Sequence, residues 1–124
     1  MPAEDLVDAP AIFFRFHAES ETLGFAGLEG QGRDLLLRSM WVAPAERNRG
    51  MGACVLGQVE RLAHDRGCDR LHLLTTTAER FFRRHGYVPL AREQAPAGIA
   101  ESREFQSLCP ASAVYMSKTL RHLA

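Results

Sequence analysis

Residues 47–53 read Arg47-Asn48-Arg49-Gly50-Met51-Gly52-Ala53 and stand where a strand pattern gives way to a helical one. Free N–H groups and the dipole at a helix start make a ready anion site. Glycine at 50 and 52 lets the backbone approach an anion with no Cβ in the way. Arg47 and Arg49 add positive charge on long side chains. No Gly-Lys-Ser/Thr follows, so this is not a Walker A loop. The third glycine of the dinucleotide fingerprint is missing as well, and an antiparallel pattern precedes the loop. Taken alone, the stretch is either a phosphate cradle or a glycine-rich turn with solvated arginines. Gly57 lies further along the helix, where glycine costs ~1 kcal/mol relative to alanine. It suggests close packing against the sheet or a ligand.

Upstream, Ala11 to His17 is rich in aromatics and reads as a strand. Leu23 to Glu29 alternates Leu23, Phe25 and Gly27 with Gly24, Ala26 and Leu28, a second strand. Leu35 to Val42 is a third, apolar on both faces apart from Arg38 and Ser39. The polar turns at 19–22 and 30–32 are short, so the three strands form an antiparallel meander. Downstream, Met51, Val55, Val59, Leu62 and Ala63 follow a helical stripe that ends at Arg66-Gly67. Leu71 to Leu74 is a short apolar strand. Thr76-Thr77-Ala78-Glu79 has the form of a capping box, opening a second helix with Ala78, Phe81, Phe82 and His85 inside and Gly86 at its close. Tyr87 to Ala91 is a strand, 96–108 holds one or two helical turns, and Val114 to Leu120 is the last strand. The order β-β-β-α-β-α-β-(α)-β predicts an α/β (α+β) fold, a mixed sheet with helices on its faces.

The chain has 124 residues, 46% of them apolar and 24% charged, which fits one globular domain. Its net charge is zero, which argues against a bulk polyanion such as DNA or an anionic membrane as partner. The balance is local. Residues 1–34 hold two arginines against seven acids, and residues 38–92 hold ten arginines against five. No apolar run is long enough to span a bilayer, and 1–5 lacks a signal peptide's basic start. Cys54, Cys68 and Cys109 are odd in number and widely spaced. They match neither a disulfide framework nor a zinc pattern, so the expectation is a cytoplasmic, metal-free protein.

In context, the loop at 47–52 becomes specific. Strand, Arg47-x-x-Gly50-x-Gly52, amphipathic helix, short strand and then Ala78-Glu79-Arg80-Phe81-Phe82-Arg83-Arg84-His85-Gly86-Tyr87 closely resemble the GNAT superfamily of acetyl-CoA-dependent N-acetyltransferases. The matched blocks span about residues 35–91. The resemblance implies a mixed, mostly antiparallel sheet flanked by helices and a single domain over 1–124. Acetyl-CoA is implied as cosubstrate, its pyrophosphate held by Arg47, Asn48, Arg49, Gly50, Met51, Gly52 and Ala53. Met40, Trp41 and Val42 would pair with the pantetheine arm and Phe81 would wall it. The acetyl group would lie where the third strand splays from 71–74. Leu73 to Ala78, Phe81-Phe82 and Ser107 to Ala113 are similar to the arsenic-resistance N-acetyltransferase branch, which implies a link to arsenic or toxic amino-acid resistance but supplies no substrate; a small-molecule amine is the expected acceptor.

The chain departs from the family pattern in places. Phe82 stands where most members carry a tyrosine that protonates the leaving thiolate, and Thr75 stands where they carry an asparagine. Tyr115, Thr75 and Ser112 are the candidate catalytic hydroxyls, with Cys109 or a water held by Glu29 as further options. The family's opening strand and helices are expected to be missing, which shortens the N-terminus and leaves 11–17 as an exposed edge. An edge carrying Phe13, Phe14 and Phe16 invites pairing with a second chain, so a homodimer is expected. Cys54 is read as packing, Cys68 as a loop residue, and Cys109 as a structural thiol. His85 is read as a helix-end cation, and Trp41 as either a core residue or a ligand stack. Arg80, Arg83 and Arg84 form either a solvated face or a reach toward the coenzyme 3′-phosphate. A non-catalytic acyl-CoA-binding domain is the rival reading. Nucleic-acid binding through the arginines is weaker, because no interleaved exposed aromatics are evident.

Overall fold

The computed structural model describes residues 11–18, 21–30, 32–44, 50–107 and 113–120. Strands β1 (Ala11–Ala18), β2 (Glu21–Glu29) and β3 (Asp34–Val42) form the expected meander. Helix α1 (Met51–Asp65) leads to β4 (Arg70–Thr75), α2 (Glu79–Arg84) and the two-residue strand β5 (Val88–Pro89). A 3-10 turn at Arg92–Gln94 and short helices α3 (Ala97–Ala100) and α4 (Arg103–Ser107) precede β6 (Val114–Thr119). The six strands lie in the order β1-β2-β3-β4-β6-β5, with only β3 and β4 parallel. The fold class is the expected one, and β1 is the edge the sequence predicted.

The sheet has two faces with separate cores. Ala26, Leu28, Leu35, Leu37, Leu71, Leu73 and Met116 bury against Val55, Leu56, Val59 and Ala63 of α1 and Phe82 of α2. On the opposite face Leu36, Leu74 and Tyr115 pack with Ile99 and Phe105. The residues lining each face follow the period-two alternation of strands, and α1 contributes the stripe read from its 3.6 period. That alternation breaks once in β3. Gly27 pairs with Ser39 while Leu28 pairs with Leu37, so Arg38 is the extra residue of a bulge. The shift returns Met40 and Val42 to the α1 face already held by Leu35 and Leu37. The Arg-Ser interruption in an otherwise apolar strand is the sequence trace of this bulge.

A buried polar cluster ties α1 to the far end of the sheet. Glu60 accepts a 2.8 Å hydrogen bond from the Tyr87 hydroxyl, and Lys118 Nζ lies 3.1 Å from its carboxylate oxygens. Burial, with Glu60 beside it, raises the Tyr87 pKa above the usual phenol value. Among the described residues no helix is long and apolar enough to cross a membrane.

Several local expectations are corrected. The Thr76–Glu79 capping box is absent. Instead, Ala78 N–H donates to Thr75 Oγ1 at 2.9 Å, and Glu79 pairs with Arg83 at 2.9 Å. The strand expected over 87–91 is confined to Val88–Pro89, because Tyr87 turns inward to Glu60 and Leu90 N–H bonds the Tyr115 carbonyl beyond the ladder. Gly57 packs against nothing: a Cβ there would meet no atom within 4 Å. It lies on the exposed side of α1. Cys54 is exposed and not packed, whereas Cys68 is a core residue whose Sγ–H donates to the Arg70 carbonyl. Burial pushes the Cys68 thiol up to about 11. Cys109 lies outside the described residues.

Candidate functional site

β3 and β4 pair from Asp34–Arg70 through Leu37–Leu73 and then part. The bulge at Arg38 falls at the parting point. Beyond it opens a cleft of about 250 Å³. Leu37 to Met40 and Val42 form one wall, Leu73, Leu74 and Thr75 the other, and Thr77, Ala78, Phe81 and Phe82 close one side. Ser39 to Trp41 of β3 lie beyond the pairing with β4, beside the cleft. Trp41 stands in this segment with its side chain turned away from α1, stacked on Phe25 with centroids 5.3 Å apart. At 36% exposure it is no core residue.

The start of α1 lies on the α1 face of the same cleft. Gly50 adopts φ +79 and precedes the first turn, which no side chain caps and which carries no acid. Among the described residues, a Cβ on Gly50 would meet no atom within 4 Å. Gly52 faces Phe81, whose Cε1 would lie 3.3 Å from its Cβ, so a small residue lets α1 and α2 approach here. An uncapped helix start with a positive-φ glycine suits a phosphate. These residues fit the coenzyme that the loop sequence implies. Arg47, Asn48 and Arg49 lie outside the described residues.

The cleft wall holds one ionisable side chain, Arg38. Its Nη1 lies 3.2 Å from Glu29 Oε1, and the Glu29 side chain is only 5% exposed. The angle does not make a hydrogen bond, so Glu29 Oε1 is a buried oxygen with an ionic neighbour but no donor. Ser39, Thr75 and Thr77 supply the wall's hydroxyls. Thr75 Oγ1 accepts from Ala78 N–H, which leaves its own proton to donate.

Tyr115 is elsewhere. It is 1% exposed in the second core, away from the cleft lining. Its hydroxyl lies 2.8 Å from His72 Nδ1, while His72 Nε2 lies 2.7 Å from Asp34 Oδ1. With Nε2–H on the carboxylate, Nδ1 accepts and Tyr115 donates. Burial raises the Tyr115 pKa and lowers that of His72. Ser112 lies outside the described residues. Sequence reasoning missed Glu29 with Arg38 as a pair and missed His72 altogether. A histidine inside the apolar run 71–74 was the available signal, since a buried imidazole needs partners. His85 caps the end of α2 and tilts onto Phe81. Arg80, Arg83 and Arg84 are exposed, and Arg80 and Arg83 line a groove beside Thr75 to Thr77. Among the described residues no group of acids, histidines and cysteines is placed to hold a metal.

The family model for the acetyltransferase (GNAT) domain matches residues 9–89. No curated protein sequence matches the chain. Solved structures match in fold. N-acetylglutamate synthase from Neisseria gonorrhoeae, complexed with coenzyme A and N-acetyl-glutamate, superposes with a TM-score of 0.75 at 17% identity, covering 87% of this chain and 25% of its own. The PaiA N-acetyltransferase from Thermoplasma acidophilum, in complex with coenzyme A, gives 0.65 at 16% identity over 94% of this chain and 64% of its own. The ribosomal-protein-S18-alanine N-acetyltransferase from Escherichia coli gives 0.65 at 17% identity, over 89% and 69%. The chain thus spans a quarter of the first of these proteins and just under two-thirds of the second.

Proposed function

Because the chain belongs to the acetyltransferase (GNAT) domain family, we propose that it transfers acetyl from acetyl-CoA to a primary amine of a small molecule. The observation that carries this is the parting of β3 from β4 after Leu37–Leu73, beside an uncapped helix start. Arg47, Asn48, Arg49 and the backbone of Gly50 to Ala53 hold the pyrophosphate. Met40, Trp41 and Val42 offer backbone to the pantetheine, and Phe81 walls it. Arg80 and Arg83 stand within reach of a coenzyme phosphate. Acetyl-CoA supplies an activated thioester. Attack is direct, in a ternary complex: the N–C bond forms as the C–S bond breaks, the amine gives up a proton and the sulfur gains one.

The chain's own part is positioning and polarisation. Leu37, Met40, Leu73 and Phe82 exclude water from the cleft, which strengthens any dipole inside it. Among the candidate hydroxyls Thr75 stands on the wall with a free proton, and we assign it the polarising or proton-relaying role. Tyr115 supports the wall from behind through His72, and Ser112 is the remaining candidate. The resemblance of 73–78, 81–82 and 107–113 links the chain to arsenic or toxic amino-acid resistance and supplies no substrate beyond a small-molecule amine. We place the protein in the cytoplasm, with the free edge of β1 pairing in a homodimer. A monomer by light scattering at micromolar concentration overturns the dimer.

The rival, an acyl-CoA-binding domain without turnover, is favoured by Phe82 together with a wall on which, among the described residues, Arg38 is the only ionisable group. Acetyl-CoA should raise the melting temperature under either reading. Thiol release across a panel of amines then separates them. Turnover with any member establishes the transferase, and coenzyme binding with no release across amino acids, polyamines and aminoglycosides establishes the binder.

A further inference from the structure

The cleft passes through the sheet. Its α1 side is lined by Leu37, Met40, Phe81 and Phe82, and its opposite side opens at Arg38. The uncapped start of α1 commits the coenzyme to the first side, so an amine must enter from the second. What it meets there is unusual for a monomer surface. Arg15, Phe25 and Trp41 form one cross-strand row, and Phe13 and Gly27 form the next, beside bulged Arg38. Phe13, Phe25 and Trp41 are 58%, 39% and 36% exposed. Gly27 makes the floor. A Cβ there would come within 2.5 Å of the Phe13 ring and 3.3 Å of Arg38 Cγ, so both side chains lie over the bare glycine. Arg38 lines the cleft and meets Phe13 over Gly27, which joins the aromatic surface to the cleft rim.

We propose that this outer mouth is the acceptor subsite, and that it takes an amine carrying a planar apolar body and a carboxylate, with aromatic α-amino acids as the simplest members. The proposal rests on the acetyltransferase reading above. Two arguments select this chemistry. Exposed stacked rings on a rigid sheet suit a flat apolar group, with little side-chain entropy lost on contact. Two guanidiniums, Arg15 and Arg38, flank the rings and favour an anion over a second cation, while the Glu29 carboxylate lies buried against Arg38. Arg38 has one ionic partner among the described residues, Glu29, and meets it without a hydrogen bond. Its fork therefore has donors to offer a carboxylate at the point where the cleft begins.

Trp41 is the chain's single tryptophan, so its emission reports this surface alone. With acetyl-CoA present, L-phenylalanine should change the Trp41 emission saturably. Phenethylamine, which lacks the carboxylate, and L-alanine, which lacks the ring, should each bind about tenfold more weakly, the loss of one charge-assisted or stacking contact. Arg38→Gln should bring phenylalanine down to the phenethylamine level and leave phenethylamine unchanged. Should Arg38→Gln fail to fold with Glu29 left unpaired, the double variant Glu29→Gln/Arg38→Gln removes both charges and makes the same comparison. Equal binding of phenylalanine and phenethylamine overturns the carboxylate assignment. An emission that responds to protein concentration and not to either probe assigns the surface to a second copy and overturns the subsite. Failure of the acetyltransferase reading is distinguishable, since it shows as no melting shift with acetyl-CoA, or as a shift with no thiol release across the amine panel, whatever the emission does.

Discussion

His72 Nε2 lies 2.7 Å from Asp34 Oδ1 and joins β4 to β3 on the paired side of the point where the two strands part. Its other nitrogen accepts the Tyr115 hydroxyl, so one imidazole links β3, β4 and β6 behind the cleft. Burial holds its pKa below the usual histidine value. In the fold His72 is thus neutral at a pH where the unfolded chain takes up a proton. The stability this contributes is complete above about pH 6.5 and is lost as pH falls below it. The urea midpoint should drop between about pH 7 and pH 5. His72→Gln should lower the midpoint at neutral pH and flatten that slope; an unchanged slope in the variant would remove His72 as its source.

Tyr115 tests the same linkage from the other end. Tyr115→Phe removes the donor to Nδ1 and keeps the ring packed on Phe105. It should cost about 1 kcal/mol in a urea melt. If Tyr115 acts only by supporting the wall, thiol release should fall by less than about threefold, under 1 kcal/mol in the barrier. A loss of about a hundredfold or more, the scale of a lost general acid, would return it to the chemistry.

Thr75 carries the opposite expectation. Thr75→Val removes the acceptor for Ala78 N–H, costing about 1 kcal/mol of stability. It also removes the hydroxyl on the cleft wall, and thiol release should fall by roughly a hundredfold, as for a lost oxyanion donor. Thr75→Ser should restore both. Rescue of stability without rescue of turnover would show that the hydroxyl only closes the turn before α2.

How much of this was legible beforehand follows a physical division. The succession of strands and helices depends on local periodicity and glycine placement, and both are written along the chain. The buried links were not visible, because they join distant residues: His72 meets Asp34 and Tyr115 across 38 and 43 positions. The bulge left a mark, Arg38-Ser39 in an apolar strand, but its parity shift depends on β2 as partner. Gly57 and Cys54 were misplaced for another reason. A helical stripe names the buried positions well, yet says little about residues at its border, and both turned out to be exposed. At the start of α2 the local signal misled, since three successive threonines suggested a cap, whereas Ala78 is the N-cap without a side-chain bond and Thr75 closes the turn before it.

The two described cysteines should differ sharply in reactivity. Cys54 is exposed on α1, while Cys68 is 1% exposed, and burial pushes its thiol up to about 11. The thiolate is the reactive form. Iodoacetamide at neutral pH should therefore modify Cys54 in the native protein and reach Cys68 only after unfolding. Peptide mass spectrometry reads both sites directly. Early modification of Cys68 would mean that the end of α1 opens far more readily than its packing implies.

The coenzyme loop has the most direct test. Gly50 holds φ +79 before an uncapped helix start, and among the described residues a Cβ there would meet no atom within 4 Å. Gly50→Asp places a negative charge where the pyrophosphate is expected, and Gly50→Asn places a side chain of similar shape with no charge. Asparagine and aspartate both tolerate the left-handed conformation better than other residues. The two variants should therefore melt within about 1 kcal/mol of each other, since the conformational cost is shared. Their response to acetyl-CoA should not be shared. The melting shift should shrink in Gly50→Asn and vanish in Gly50→Asp, and high salt should recover part of the difference by screening the added charge. Equal shifts in both variants would show that the anion is held elsewhere and that the helix start plays no part in binding it.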